Sequence, residues 1–121
     1  MRKYTIPGKF PSLNEYINAC RRNPHAGAKM IHDSEKKIIS ALKGQKPLKP
    51  PIRISYLFVE QNKRRDHDNV SGYWHKVWQD SLVKAGLLEN DGWNEIVGYR
   101  DDFTVDKNNP RIEIVIYEEA K

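Results

Sequence analysis

The chain has 121 residues, 38% hydrophobic and 31% charged, with a formal net charge of +5 and one cysteine, Cys20. That length suits one domain able to bury its own core, and a lone cysteine excludes an intrachain disulfide and fits a reducing cytoplasm. No apolar run approaches the about 20 residues of a membrane span, and the polar start Met1-Arg2-Lys3-Tyr4 is unlike a signal peptide, so a soluble cytoplasmic chain is expected.

Lys3–Pro7 reads as a short first strand ended by Pro7-Gly8. Pro11-Ser12-Leu13-Asn14 is a turn in which Ser12 or Asn14 caps a helix over Glu15–Arg22, and Asn23-Pro24 breaks it. A second helix is expected from about Ala28 to Leu42, with Met30, Ile31, Ile38, Ile39 and Leu42 as its apolar stripe. After the basic, Pro-rich loop Lys43–Pro51, Ile52–Glu60 alternates as a strand with Ile52, Ile54, Tyr56 and Phe58 on one face. A third helix spans Asp68–Ala85, carrying Val70, Trp74, Val77, Trp78 and Leu82 at helical spacing, with Gly86 beyond it. Ile96–Phe103 and Arg111–Glu118 complete the series as strands, expected to be antiparallel across the turn Asp106–Pro110. The order predicts a single α+β domain over residues 1–121, with a small mixed or antiparallel sheet and helices packed on one face.

Charge is unevenly spread. Residues 1–65 hold 15 Lys/Arg against 4 Asp/Glu, whereas residues 66–121 hold 6 against 12. The two halves meet at Lys63-Arg64-Arg65-Asp66-His67-Asp68-Asn69. Cations that hold a polyanion there adjoin acids that repel it, and a divalent metal between carboxylate and phosphodiester reconciles the two. In extended backbone Asp66 and Asp68 point to one side and can face one ion, although a helix cap or a solvated loop also accounts for such acids. Asp91, in the loop after the third helix, is the third acid for a Mg²⁺ site, provided that the chain returns it to the start of that helix.

Arg64-Arg65-Asp66-His67-Asp68-Asn69, then Asp80-Ser81-Leu82-Val83-Lys84-Ala85-Gly86, then Asn90-Asp91, together with Pro11-Ser12-Leu13-Asn14, resemble the RusA family of Holliday junction resolvases. The matches keep the family's order from residue 11 to 91. The resemblance implies a homodimeric, Mg²⁺-dependent endodeoxyribonuclease, with Mn²⁺ as an alternative ion, that resolves four-way DNA junctions by paired symmetric nicks in recombination and repair. On that likeness Asp66, Asp68 and Asp91 are the metal-binding acids. The family's essential lysine falls at Gly72 counted from the first acid and at Lys76 counted back from Asp80. A helical turn inserted after Asn69 makes Lys76 the candidate catalytic cation, with His75 a weaker substitute.

Lys63, Arg64 and Arg65 are expected to hold phosphates beside the scissile one, with Arg21, Arg22 and Lys29 extending the DNA footprint. Trp74 and Trp78 are assigned to core or dimer packing rather than base stacking. The Trp-bearing helix and the strand Ile112–Tyr117 are the expected sources of the dimer interface. His67 is read as a solvent-facing linker, Asp101 and Asp102 as the exposed end of a strand, and Cys20, His25 and His32 fit no common zinc spacing. The rival reading is a RusA-like fold that binds branched DNA without cutting it, and Gly72 is the residue that favours it.

Overall fold

Ile52–Glu60 turns Ile52, Ile54, Tyr56 and Phe58 to one buried face and lies inside the sheet, with a neighbour on each side. In the computed structural model, which describes residues 1–119, β1 (Arg2–Pro7), β2 (Ile52–Glu60), β3 (Ile96–Val105) and β4 (Arg111–Glu118) form one mixed sheet in the order β1-β4-β2-β3. Three helices accompany it: α1 (Leu13–Arg22), α2 (Pro24–Leu42) and α3 (His67–Lys84). This is a small α+β domain. Among the described residues no helix is long and apolar enough to cross a membrane.

The expected β3–β4 hairpin is absent. β2 lies between them, antiparallel to β4 and parallel to β3, and Asp106–Pro110 carries the chain across the end of β2. The amide of Asp106 donates to the Glu60 carbonyl at 2.9 Å, fixing that crossing. Burial supplies the reason. Ile52, Ile54, Tyr56 and Phe58 are all at most 1% exposed, and a strand so buried gains most from a hydrogen-bonded neighbour on each side. The parallel β2–β3 pair in turn needs a long crossover, and α3 provides it.

Local chemistry sets the helix ends. Ser12 caps α1 in a reciprocal capping box, its hydroxyl accepting from the Glu15 amide at 3.1 Å while the Glu15 carboxylate accepts from the Ser12 amide at 3.3 Å. Asn23 both closes α1 and caps α2, its side chain accepting from the His25 amide at 2.8 Å. Proline is tolerated in the first turn of a helix, so α2 starts at Pro24 rather than at Ala28. α3 starts one residue earlier than the sequence suggests, with Asp66 as its N-cap.

The core lies between the helices and one face of the sheet. Trp74 and Trp78 stack at 5.7 Å within it, 1% and 0% exposed, so neither is available to bases or to a partner. β4 is internal to the sheet, and its Ile112, Ile114 and Ile116 belong to the same core. The tryptophan face of α3 and the inward isoleucines of β4, both expected to serve a dimer, are therefore used in the core of the chain itself. The opposite face of β2 and β4, with Arg53, Leu57, Glu113 and Tyr117, is exposed or half-buried.

Polar contacts tie α3 to α2. The Tyr73 hydroxyl shares a hydrogen bond with Ser34 Oγ at 2.6 Å and reaches the Met30 carbonyl at 3.0 Å. Lys84 Nζ donates to Glu35 Oε1 at 2.7 Å, which raises the Lys84 pKa, and the Glu35 side chain is 7% exposed. Removing the lysine strands a buried carboxylate. Lys84→Met is expected to cost about 1–3 kcal/mol of stability, and Glu35→Leu added to it to restore most of that loss. Urea unfolding of the two variants checks this; equal midpoints for wild type and Lys84→Met would exclude a structural role for the pair.

Candidate functional site

The carboxyl ends of the parallel strands β2 and β3 and the N-terminus of α3 converge on a cavity of about 730 Å³. Glu60, Lys63, Asp66, His67, Asp68 and Phe103 are among its lining residues. Ligand sites in sheets with parallel strands favour this end, where crossover loops leave a crevice.

Asp66 has extended backbone, φ −67° and ψ 154°, and its side chain makes no capping bond. Asp68 lies in the first turn of α3, and both residues are exposed. Helix capping therefore does not account for the Asp66 carboxylate. The start of α3 is held instead by Asn69, whose side-chain oxygen accepts from the Asn14 amide at 2.8 Å, joining the two motifs that lie 55 residues apart. His67 stacks on Phe103 with ring centres 3.8 Å apart and planes 3° from parallel. It is a wall of the cavity as well as an exposed residue.

Two exposed carboxylates lining one cavity fit Mg²⁺, which retains several waters and is commonly held by one or two carboxylates together with substrate phosphate, although Asp68 is helical and not in the extended backbone that the sequence suggests. Asp91 is not brought to them. It lies beyond the far end of α3, a helix of 18 residues and so about 27 Å long, and lines a separate cavity of about 570 Å³ with Gln79, Trp93, Val97 and Tyr99. Among the described residues no three His, Cys, Asp or Glu side chains form a metal-holding group. The expected chain reversal does not occur because Leu87 and Leu88 bury just after α3 and Ile96 joins β2, which anchors the loop at the amino end of β3.

The expected cations divide into two kinds. Arg65 is not a free phosphate anchor. Its Nε and Nη2 donate to the two Glu60 oxygens at 2.8 and 2.9 Å, Nη1 donates to the Phe10 carbonyl at 2.8 Å, and Glu15 lies 3.6 Å away. This half-buried bidentate clamp joins the end of β2 to the chain entering α1. Lys63 lines the cavity, and Arg64, Arg21 and Arg22 are exposed. Arg22 and Lys29 line a neighbouring groove together with Phe10, Pro11 and Lys37, although Lys29 pairs with Asp33 at 2.7 Å. Phe10 borders that groove while its carbonyl holds Arg65 of the first cavity, so the two depressions adjoin.

Position 72, half-buried on α3, carries no side chain. A Cβ on Gly72 would stand 3.2 Å from Leu13 Cδ2 on α1. Lys76 is exposed one turn further along, 3.7 Å from Asp80, and is not among the residues lining the cavity. The lysine expected there is not supplied from either position.

Sequence reasoning also missed a pair at mid-helix. His75 Nε2 and Asp101 Oδ1 are 2.9 Å apart, both half-buried, beside Tyr56 and Tyr99. Asp101 thus faces α3 from the middle of β3 rather than lying at an exposed strand end, while Asp102 pairs with Arg100 at 3.0 Å. Burial pushes the Tyr56 phenol above the usual tyrosine range, which keeps it neutral. The signal was available: if β3 lies beside α3, alternation sends Tyr99, Asp101 and Phe103 to the same side.

The fold and this geometry define an α+β domain with an unpaired carboxylate pair at the end of a parallel strand pair. No protein-family model matches the chain, and no curated protein matches it.

Arg65→Ala is expected to destabilise the fold by about 2–3 kcal/mol, because it leaves Glu60 half-buried and unpaired. A free phosphate anchor would instead leave the melting temperature unchanged and lower the salt dependence of DNA binding, so calorimetry with and without DNA separates the two roles. Lys76→Ala should leave both stability and DNA affinity close to wild type.

Proposed function

We propose that this chain is a metal-dependent, structure-specific endodeoxyribonuclease of the RusA type that nicks four-way DNA junctions. The observation that carries the reading is the Asp66–Asp68 pair, exposed and held on a fixed helix start beside Lys63 at the carboxyl ends of β2 and β3. Asp66 and Asp68 would hold Mg²⁺ or Mn²⁺, which when bound supplies charge neutralisation at phosphorus and an activated water. Lys63 and Arg64 hold flanking phosphates, and Arg22, with Lys37, extends contact along the adjoining groove. Such contacts position DNA without reading its sequence. Asn69 and the Arg65–Glu60 clamp keep the carboxylates in register with the sheet; they are positioning residues.

A second reading, a branched-DNA binder without cleavage, is favoured by one observation. Neither position of α3 at which that lysine is expected supplies one to the cavity, since residue 72 is glycine and Lys76, 3.7 Å from Asp80, does not line it.

Incubation of labelled four-way junctions with the protein and Mg²⁺, against an EDTA control, tests both. Metal-dependent paired nicks are expected, and retarded but intact junctions would select the binder. Asp66→Asn and Asp68→Asn should each reduce cleavage at least a hundredfold, roughly 2.7 kcal/mol of transition-state stabilisation, with junction binding retained. Binding persists because removing a negative charge near phosphate lowers repulsion. Cleavage at the native rate by Asp66→Asn would exclude the carboxylate pair as the reaction centre.

A further inference from the structure

The three tryptophans divide sharply by exposure. Trp74 and Trp78 lie in the core, whereas Trp93, on the loop between α3 and β3, is 95% exposed. A ring of that size left in water contributes nothing to the fold. The loop nevertheless holds it in place. The Glu95 and Ile96 amides donate to the Gly92 carbonyl at 3.2 and 3.0 Å, and the Ile52 amide donates to the Glu95 carbonyl at 2.8 Å, tying the turn to β2. A second exposed ring, Tyr99, lines the same cavity of about 570 Å³. Its inner edge rests on His75 and Tyr56, with ring centres 4.4 and 6.2 Å away.

Polar groups accompany the two rings. Gln79, half-buried, lines the cavity and lies beside the Tyr56 hydroxyl, a buried group without a hydrogen-bond partner among the described residues. An amide side chain offers both a donor and an acceptor. Arg53 places Nη1 in the space that a Cβ on Gly98 would take, and Gly98 belongs to the cavity wall. Arg53 Nε donates to Glu119, but the guanidinium is half exposed and has further N–H groups to give. Asn90 and Asn94, on either side of Asp91 and Trp93, are exposed as well. The core of a protein–protein contact is depleted of such charged groups. Aromatic faces, an amide and one cation together match a nucleotide instead.

We infer that this cavity receives an unpaired nucleobase, stacked on Trp93 and Tyr99, with its polar edge at Gln79 and the adjoining phosphate at Arg53. Every base presents a π-face, so such stacking tolerates any sequence. The Asp91 carboxylate, in the same wall, repels phosphate and accepts from base amino groups, so the base enters and the backbone stays outside. The inference deepens the DNA reading proposed above and rests on it. A branch point in DNA leaves bases short of a stacking neighbour. The two ends of α3 then serve different parts of one substrate, the phosphodiester at Asp66 and Asp68 and the unstacked base at Trp93.

The probe is a short single-stranded oligodeoxyadenylate, in EDTA so that no metal contributes. With Trp74 and Trp78 buried, acrylamide quenching of tryptophan fluorescence reports Trp93. Bound oligonucleotide should shield it, and Trp93→Ala should weaken binding about fivefold or more, as loss of one stacked base does. Trp93→Phe should keep most of the affinity. Arg53→Gln should lower the slope of log affinity against log salt by about one contact. Because Trp93 touches solvent, its replacement leaves the fold intact, which the melting temperature of the variant checks. Wild-type affinity in Trp93→Ala, or no shielding by bound oligonucleotide, overturns the inference. So does a Trp93 already shielded in the free protein and uncovered by dilution, because a second copy then covers the cavity. Shielding lost in Trp93→Ala, without junction nicking by the wild type, would keep this inference and overturn the nuclease reading. Junction nicking with unchanged oligonucleotide binding in Trp93→Ala would do the reverse.

Discussion

The packing of α3 over β2 is the constraint on which the rest of the molecule depends. β2 is central, its inward residues are almost wholly excluded from water, and Trp74, Val77, Trp78 and Leu82 complete the layer above them. Burying two tryptophans together with these aliphatic side chains removes several hundred square ångströms of apolar surface from water and supplies a dominant part of the driving force. Because β2 and β3 are parallel, the same helix must cross from the end of one to the start of the other. Its N-terminus is therefore fixed at the carboxyl ends of both strands and its C-terminus at their amino ends. The separation of Asp66 and Asp68 from Asp91 follows directly from that packing.

Charge is used differently in the two halves of the chain. Much of the basic excess is distributed over exposed side chains around α1, α2 and the loops, where a polyanion can meet it, but Arg65 is a structural guanidinium held by Glu60, Glu15 and the Phe10 carbonyl. The carboxylates at Asp66 and Asp68 remain open beside it. Such an arrangement keeps an acidic pair accessible in a basic setting, since the adjoining arginine is engaged with another carboxylate. It also couples the site to the turn at Pro11–Asn14, which reaches α3 through the Asn14–Asn69 hydrogen bond.

The edge of the sheet differs from the centre. β1 is short, whereas β3 is long, exposed on its outer side and flanked by Trp93. Along the contact between α3 and β3, His67 stacks on Phe103, and His75 pairs with Asp101 beside Tyr99.

How far the sequence could be read depended on the range of the interactions involved. Residue patterns placed β2 and β4 at their observed bounds, and helical spacing put the two tryptophans on a packing face without deciding between core and dimer, because such patterns follow from the geometry of a single element. A cap at Ser12 or Asn14 and the break at Asn23-Pro24 were legible for the same reason, as was the position of Asp66 and Asp68 at a helix start, whereas the structure chose Ser12 as the cap. Strand order was not legible. β3 and β4 are separated by five residues and look like a hairpin, yet β2 enters from far away in sequence to lie between them. Tertiary structure alone decided that Arg65 closes on Glu60, that Gly72 faces Leu13, that His75 meets Asp101 and that Asp91 stays at the far end of α3. Each of those outcomes is a contact between elements whose relative placement is set by burial of the whole core, and no local pattern of residue types encodes it.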